Sequence, residues 1–397
     1  MLEFSSRLNN MEESATLAMS RLSRELKAQG KDIISLSLGE PDFHTPQFIK
    51  DAAVKAMNDN FTTYTPVPGY DDLRESISKK FKRDNGLSYS KTQIVVSTGA
   101  KQSLANVILS LVDEGDEVII PAPYWVSYIE IVKLAGGIPV VVEATIESDF
   151  KVTDKQLESA ITPKTKMMIF STPCNPSGSV YSREELKKLA YVIEQHPDLV
   201  VIADEIYEHI NFVGKHESLA QFDAIYNQVV TVNGVSKAWA MTGWRIGYIG
   251  APQAIADACT KMQGQFTSGT CSIAQKAAIA AVDADPTILK DMIAAFCGRR
   301  DLVLEKLRAI EGVKVNVPEG AFYVFPDISS FYGKSHNGTT IRNASDLCMF
   351  LLNDALVALV SGDAFGDDNC IRISYATSEE VLTEALKRVK TSLEKLG

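Results

Sequence analysis

From about residue 93 to residue 250, short and nearly unbroken apolar runs alternate with helical patterns. The runs fall at 94–96, 118–120, 139–142, 167–170, 199–202, 229–232 and 246–249. Most are rich in β-branched residues and all lack polar alternation, which predicts strands buried on both faces of a mostly parallel sheet. Ligands of such sheets collect at the carboxyl ends of the strands. Gly99, Asn175, Asp204 and Lys237 each follow one of these runs.

The flanking regions read differently. Leu17, Leu22 and Leu26 among charged residues predict an entry helix over 14–29. Pro41, Pro46, Pro66 and Pro68 break the region from 40 to 70 into loops around one short helix near 46–58. Residues 71–84 form an amphipathic pattern. After a long helix at about 287–310, short strands are expected at 313–317, 321–325, 357–360 and 371–375, with helices near 344–355 and 379–395. The expected architecture is α/β. A three-layer α/β/α large domain spans 46–290, and 1–45 with 291–397 make a smaller α+β domain.

A chain of 397 residues is long enough for two such domains. Its net charge of −10 argues against a nucleic-acid partner, which requires a basic footprint. No apolar run is long enough to cross a bilayer, and the N-terminus carries no basic-then-apolar secretory pattern, so a cytoplasmic protein is expected. The six cysteines are scattered without C-x-x-C spacing, as reduced thiols would be. The five histidines show no metal-ligand spacing, and no metal is expected.

The stretch Ser236-Lys237-Ala238-Trp239-Ala240-Met241-Thr242-Gly243-Trp244-Arg245 holds the sharpest chemistry. A lysine at the end of a buried strand is usually a surface residue, but desolvation can instead free its amine for a Schiff base. Arg245 suits a phosphate, because its planar fork donates two hydrogen bonds to one anion. Lysine with a phosphate anchor is what pyridoxal phosphate chemistry needs. Asp204 is either a helix cap or a carboxylate facing a pyridine nitrogen. Tyr207 is either a junction tyrosine or a donor to the ring's phenolic oxygen, which Asn175 also suits. Gly99-Ala100-Lys101 is either a plain strand–helix turn that contains a glycine or a helix start whose free N–H groups bind an anion. Trp125 is core packing or a ring stacked on the cofactor. Arg372, inside the apolar run Ile371-Arg372-Ile373, must meet an anion: a structural carboxylate or the α-carboxylate of an amino acid.

In this order, the residues resemble the fold-type I pyridoxal phosphate aminotransferases, and within them the bacterial subgroup of aspartate and prephenate aminotransferases. The landmarks run nearly end to end. They include Leu38-Gly39-Glu40-Pro41-Asp42-Phe43, Tyr64-Thr65-Pro66-Val67-Pro68-Gly69-Tyr70, Asn175-Pro176-Ser177-Gly178, Asp204-Glu205-Ile206-Tyr207 and Arg372-Ile373-Ser374-Tyr375-Ala376.

The resemblance implies that Lys237 forms the Schiff base with pyridoxal 5'-phosphate. Asp204 would pair with its ring nitrogen, Tyr207 and Asn175 would hold its phenolic oxygen, and Trp125 would stack on the ring. Ser236, Arg245 and the backbone of Gly99, Ala100 and Lys101 would hold the phosphate. Tyr64 would reach that phosphate across a homodimer interface. Gly39, Lys101, Trp125, Asn175 and Arg372 would contact the amino-acid donor and the 2-oxo-acid acceptor. Lys237 would move the α-proton as base and then acid, in ping-pong fashion.

Donor choice turns on Lys101 as partner for an acidic side chain, with Ser14 and Thr16 lining the same pocket. No arginine lies between Arg245 and Arg299 to supply a second fork. Relatives often carry a basic residue two positions before the Ser14-Ala15-Thr16 pattern; here Glu12 stands there with Glu13 beside it, which disfavours prephenate. Cys174 replaces a common asparagine, with little effect expected. Aspartate with 2-oxoglutarate is the expected pair. Prephenate, aromatic or neutral donors, or a C–S lyase on the same scaffold, are the alternatives. A cofactor-sensing regulator would need a DNA-binding module, for which residues 1–40 are too short and insufficiently basic.

Overall fold

In a computed structural model that describes residues 3–397, the seven apolar runs form one sheet. Its strands are β1 Ile94–Ser97, β2 Glu117–Ala122, β3 Ile138–Glu143, β4 Thr165–Ser171, β5 Val200–Asp204, β6 Val229–Gly234 and β7 Gly247–Gly250. Their spatial order is β1-β7-β6-β5-β4-β2-β3. Strand β7 runs antiparallel to both neighbours, and β2 to β6 pair in parallel. The carboxyl ends of β1, β4, β5 and β6 therefore share one edge.

The unbroken apolar runs are explained by two cores. Along β2, Val118 and Ile120 join Leu104, Val107 and Ile108 on one face, while Ile119 joins Leu73, Ile77 and Phe81 on the other. Helices Ala100–Leu111 and Gln253–Phe266 cover the first face. Helices Gln47–Asn58, Asp71–Lys80 and Ser272–Asp283 cover the second. Local signals agree: Ser182 caps helix Arg183–Glu194, and the Glu185 carboxylate accepts the Ser182 N–H at 2.7 Å in return.

The smaller part holds an antiparallel sheet of β8 Tyr323–Val324, β9 Val360–Ser361 and β10 Ile371–Ser374, in the order β9-β10-β8. Ile34–Ser35 pairs in parallel with Val357–Ala358, which ties the N-terminal segment to this part. Helices Ala15–Ala28, Lys290–Arg308, Ala344–Asp354 and Glu379–Leu393 surround it. One core cluster continues from Ile94 and Val96 through Phe296 and Phe322 to Leu347 and Leu386.

Three expectations change. Residues 313–317 form no strand, because Lys314 alone pairs with Asp327, while the Asn316 amide donates to Asp149 Oδ1 at 2.9 Å and to the Ser177 carbonyl at 3.3 Å. The 357–360 run is divided between two sheets. The 71–84 helix ends at Lys80 and continues as a π-helical turn, Phe81–Asn85.

That turn brings Asn85 and Lys80 to a buried ion cluster. The Lys80 ammonium meets the Glu208 carboxylate and donates to Asn85 Oδ1 at 3.0 Å; Asn85 Nδ2 donates to Glu208 Oε2 at 2.8 Å. Asp84, Glu208 and His209 have the mutual spacing of metal ligands, but the Lys80 ammonium stands among them and supplies the cation. Burial alone would raise the Glu208 pKa; the Lys80 charge outweighs it and holds the carboxyl well below its usual range. Lys80→Met should therefore cost about 3–5 kcal/mol in urea unfolding, because it strands a buried carboxylate. Replacing Glu208 with leucine in the same protein should recover most of that loss.

Candidate active site

The shared edge of the large sheet opens into a cavity of about 370 Å³, closed from above by residues of the N-terminal segment and the smaller part. Ala100, Lys101, Trp125, Asn175, Asp204, Tyr207, Ser236, Lys237 and Arg245 line it from the sheet side, and Gly39 and Arg372 from the other. Ser14 and Thr16 line it as well.

Each side chain has a local reason for its position. Asp204 ends β5, fully buried. Its Oδ2 accepts the Tyr128 hydroxyl at 2.7 Å and its Oδ1 the Ile206 N–H at 3.3 Å. Burial pushes its pKa up to about 6, against the downward pull of the Tyr128 hydrogen bond. Lys237 follows β6, and its Nζ donates to the Gly39 carbonyl at 2.6 Å. Burial first, then the positive charges of Arg372 and Arg245, lower its pKa to about 8, although Glu40 and Asp204 pull the other way.

Gly99 takes φ +86° between β1 and helix Ala100–Leu111. A Cβ there would overlap the Arg245 guanidinium, so the glycine is what lets arginine and helix start converge. Arg245 itself takes φ +58°, and its Nη1 donates to the Thr242 carbonyl at 2.9 Å. Lys101 lies on the first turn with its ammonium 4.8 Å from the Trp125 ring centroid; partial desolvation and the Arg245 charge lower its pKa.

Arg372 is 2% exposed. Its Nη1 donates to Asn175 Oδ1 at 3.0 Å and its Nη2 to the Ser37 carbonyl at 2.5 Å, with Thr16 Oγ1 at 3.5 Å. The guanidinium sits between the Tyr323 and Phe365 rings, 4.7 and 4.8 Å from their centroids. Its Nε has no partner, and no carboxylate lies within ion-pair distance of it among the described residues. The structural-carboxylate reading of this arginine therefore fails.

Two expected residues lie outside the cavity wall. Gly99 stands just behind Arg245. Tyr64 is 98% exposed and does not line this chain's own pocket. Conversely, Tyr128, Tyr323, Glu40 and Thr242 line the cavity without having been singled out as site residues. The only hint for Tyr128 and Tyr323 was a hydroxyl-bearing residue within an apolar or aromatic run. Glu40 accepts the Thr242 hydroxyl across the opening.

An amine with its pKa lowered to about 8 faces an arginine that lacks a carboxylate, a pairing suited to carbonyl chemistry on an amine that also carries an anionic group. Residues 31–389 match the family model of aminotransferase class I and II, and the chain belongs to that family. A bifunctional aspartate aminotransferase and glutamate/aspartate-prephenate aminotransferase of Petunia hybrida is 47% identical over 99% of this chain and 83% of its own length. The aspartate aminotransferase from Rhizobium meliloti superposes with a TM-score of 0.97 at 42% identity, over 100% of both chains. The aspartate aminotransferase from Thermus thermophilus with maleate gives a TM-score of 0.93 at 40% identity, over 99% of this chain and 100% of the other.

Because the folded pKa of Asp204 lies above its unfolded value of 3.8, the carboxyl destabilises the ligand-free fold as it ionises. The cost grows as pH rises from about 4 through the folded pKa of about 6 and levels off about one unit above it, where it amounts to roughly 3 kcal/mol. Asp204→Asn should remove this component. Ligand-free wild type and variant, unfolded in urea at a series of pH values, should differ in stability by a term of that size and sign.

Proposed function

We propose that this protein is a pyridoxal 5'-phosphate-dependent aminotransferase that moves the amino group of L-aspartate to 2-oxoglutarate, giving oxaloacetate and L-glutamate by a ping-pong mechanism. The observation that carries the reading is the pairing, across one pocket, of Lys237, whose pKa is near 8, with the buried, carboxylate-free Arg372. The residues fit this cofactor. The Gly99–Arg245 cradle has no room for a Cβ. Lys101, Lys237, Arg245 and Arg372 outnumber the two carboxylates that line the cavity, Glu40 and Asp204, which leaves positive charge for a phosphate and a substrate carboxylate. Asp204 has no cationic side chain in ion-pair contact among the described residues, which leaves it for a protonated ring nitrogen.

Asp204, Tyr207, Asn175 and Trp125 would hold the ring, and Ser236, Arg245 and the backbone of Gly99, Ala100 and Lys101 its phosphate. When bound, the cofactor supplies an aldehyde for the amine and a ring that draws electrons from the substrate α-carbon. Arg372 and Asn175, beside Gly39, orient the α-carboxylate. Lys237 Nζ takes up the α-proton and later returns it, for which a pKa near the working pH is suited. With its pKa raised to about 6, Asp204 is only half ionised at that pH in the ligand-free protein; a cationic ring nitrogen beside it would lower that pKa.

Lys101 is the partner assigned to the distal carboxylate of aspartate. The donors prephenate and aromatic or neutral amino acids would use the same cofactor residues. Glu12 and Glu13 stand just ahead of Ser14, which lines the pocket, but neither of them lines it and Glu13 is ion-paired with Arg21, so prephenate stands as the alternative donor. The exposed Tyr64 would complete the phosphate site of a second copy, which makes the working unit a homodimer in the cytoplasm. Residues 46–290 would form the cofactor-binding domain, and 1–45 with 291–397 the domain that brings Arg372 to it. Among the described residues, no helix is long and apolar enough to cross a membrane.

Cofactor-loaded protein mixed with L-aspartate alone should lose the absorbance of the aldehyde form and release oxaloacetate, and 2-oxoglutarate should restore the band. A band stable to aspartate but bleached by glutamate or an aromatic amino acid would overturn the donor assignment. Pyruvate and ammonia formed without an acceptor would indicate elimination instead. Lys101→Ala should raise KM for aspartate by about tenfold or more, the scale of one lost charged hydrogen bond, and leave a neutral donor nearly unaffected.

A further inference from the structure

Tyr323 enters the pocket from β8 of the smaller sheet and is 1% exposed. Its hydroxyl lies 2.8 Å from the hydroxyl of Tyr207, which is also buried. On its other side the Tyr323 hydroxyl faces the α-carbon of Gly39, so closely that a Cβ at position 39 would overlap it. An α-carbon is no acceptor. Each phenol has one proton and the two share one hydrogen bond, so one proton is left over. If Tyr207 donated to Tyr323, the spare Tyr323 proton would be turned toward carbon or back into the pocket. If Tyr323 donates to Tyr207, the spare proton belongs to Tyr207 and is available to a ligand oxygen. The second arrangement leaves no buried donor unmet once a ligand is present.

We propose that Tyr323 is a positioning residue for the cofactor's phenolic oxygen: its hydroxyl donates to Tyr207, commits the Tyr207 proton to that oxygen, and so sets the proton affinity of the imine made by Lys237. The inference rests on the reading of the pocket given above as a pyridoxal phosphate site. A phenol that accepts a hydrogen bond is itself a stronger donor, since chained hydrogen bonds polarise one another. A stronger donor stabilises negative charge on the phenolic oxygen and lets the imine release its proton at lower pH. The other groups that face this pair are accounted for. Arg372 and Asp204 act on Tyr207, and Arg372 on Tyr323. Arg372, Arg245, Glu40 and Asp204 act on Lys237. None of these is altered by removing the Tyr323 hydroxyl, and its ring keeps its place against Arg372 at 4.7 Å.

The test is an absorbance titration of wild type, Tyr323→Phe, Tyr207→Phe and the double variant, each loaded with pyridoxal 5'-phosphate. Tyr323→Phe should raise the imine midpoint by about 0.5–1 pH unit, the scale of one neutral hydrogen bond. Tyr207→Phe should raise it further, and the double variant should match Tyr207→Phe alone, because Tyr323 acts through Tyr207. A Tyr323→Phe midpoint equal to that of wild type overturns the proposal, as does a shift of the same size in the Tyr207→Phe background. Absence of any pH-dependent cofactor band in wild type would instead overturn the reading of the pocket, and this proposal with it.

Discussion

A guanidinium buried without a carboxylate is the constraint around which this pocket is arranged. Taking the Arg372 charge out of water is costly, and the protein meets it with half-measures: three neutral oxygen acceptors, Asn175 Oδ1, the Ser37 carbonyl and Thr16 Oγ1, and two aromatic faces. None of these neutralises the charge. The same charge falls on Lys237, whose ammonium it destabilises, so the arginine that awaits an anion also helps to free the amine. Anion recognition and amine reactivity are thus two effects of one unneutralised residue. A side chain that supplied a carboxylate to Arg372 would relieve the fold and weaken both.

The segment that follows β5 shows how such a site is held. Asp204 and Tyr207 line the pocket, while Glu205 and Glu208 point into the protein behind it. Glu205 accepts the Ser218 hydroxyl at 2.7 Å, and Glu208 is tied to Lys80 and Asn85. Alternate parts of one short stretch thus serve chemistry and anchorage. Desolvation destabilises Asp204 in the ligand-free protein, and the charges behind it keep the backbone from relaxing toward water.

Much of this was legible before any coordinates. The seven strands could be read because burial on both faces leaves no place for polar alternation. Asn175, Asp204 and Lys237 could be read because a parallel sheet delivers its strand ends to one edge. Arg372 was conspicuous as a charge within an apolar run. What escaped had the opposite character. Tyr128 and Tyr323 lie within apolar or aromatic runs, where a tyrosine is indistinguishable from core until its hydroxyl is seen to meet Asp204 or Tyr207. The 313–317 segment has strand-like alternation, but the tertiary pull on the Asn316 amide outweighs it. Lys80 and Glu208 lie 128 positions apart, one at the end of a helix and the other in a turn, and nothing local marks them as partners.

The core that passes without interruption from the large sheet to the C-terminal helices has a further consequence for traffic in and out of the pocket. Parting the two halves would wet Phe296, Phe322 and their neighbours together, a large penalty for each turnover. Over the opening, residues 37–42 are tied down by the Arg372–Ser37 and Lys237–Gly39 hydrogen bonds and the Arg299–Asp42 ion pair, whereas Thr16 meets Arg372 at 3.5 Å. Leu17 and Leu38 are exposed, and the Glu40–Thr242 contact is a single side-chain hydrogen bond. Small molecules would then pass by a shift of the Thr16–Leu17 edge, while the walls that fix the reacting groups stay where they are.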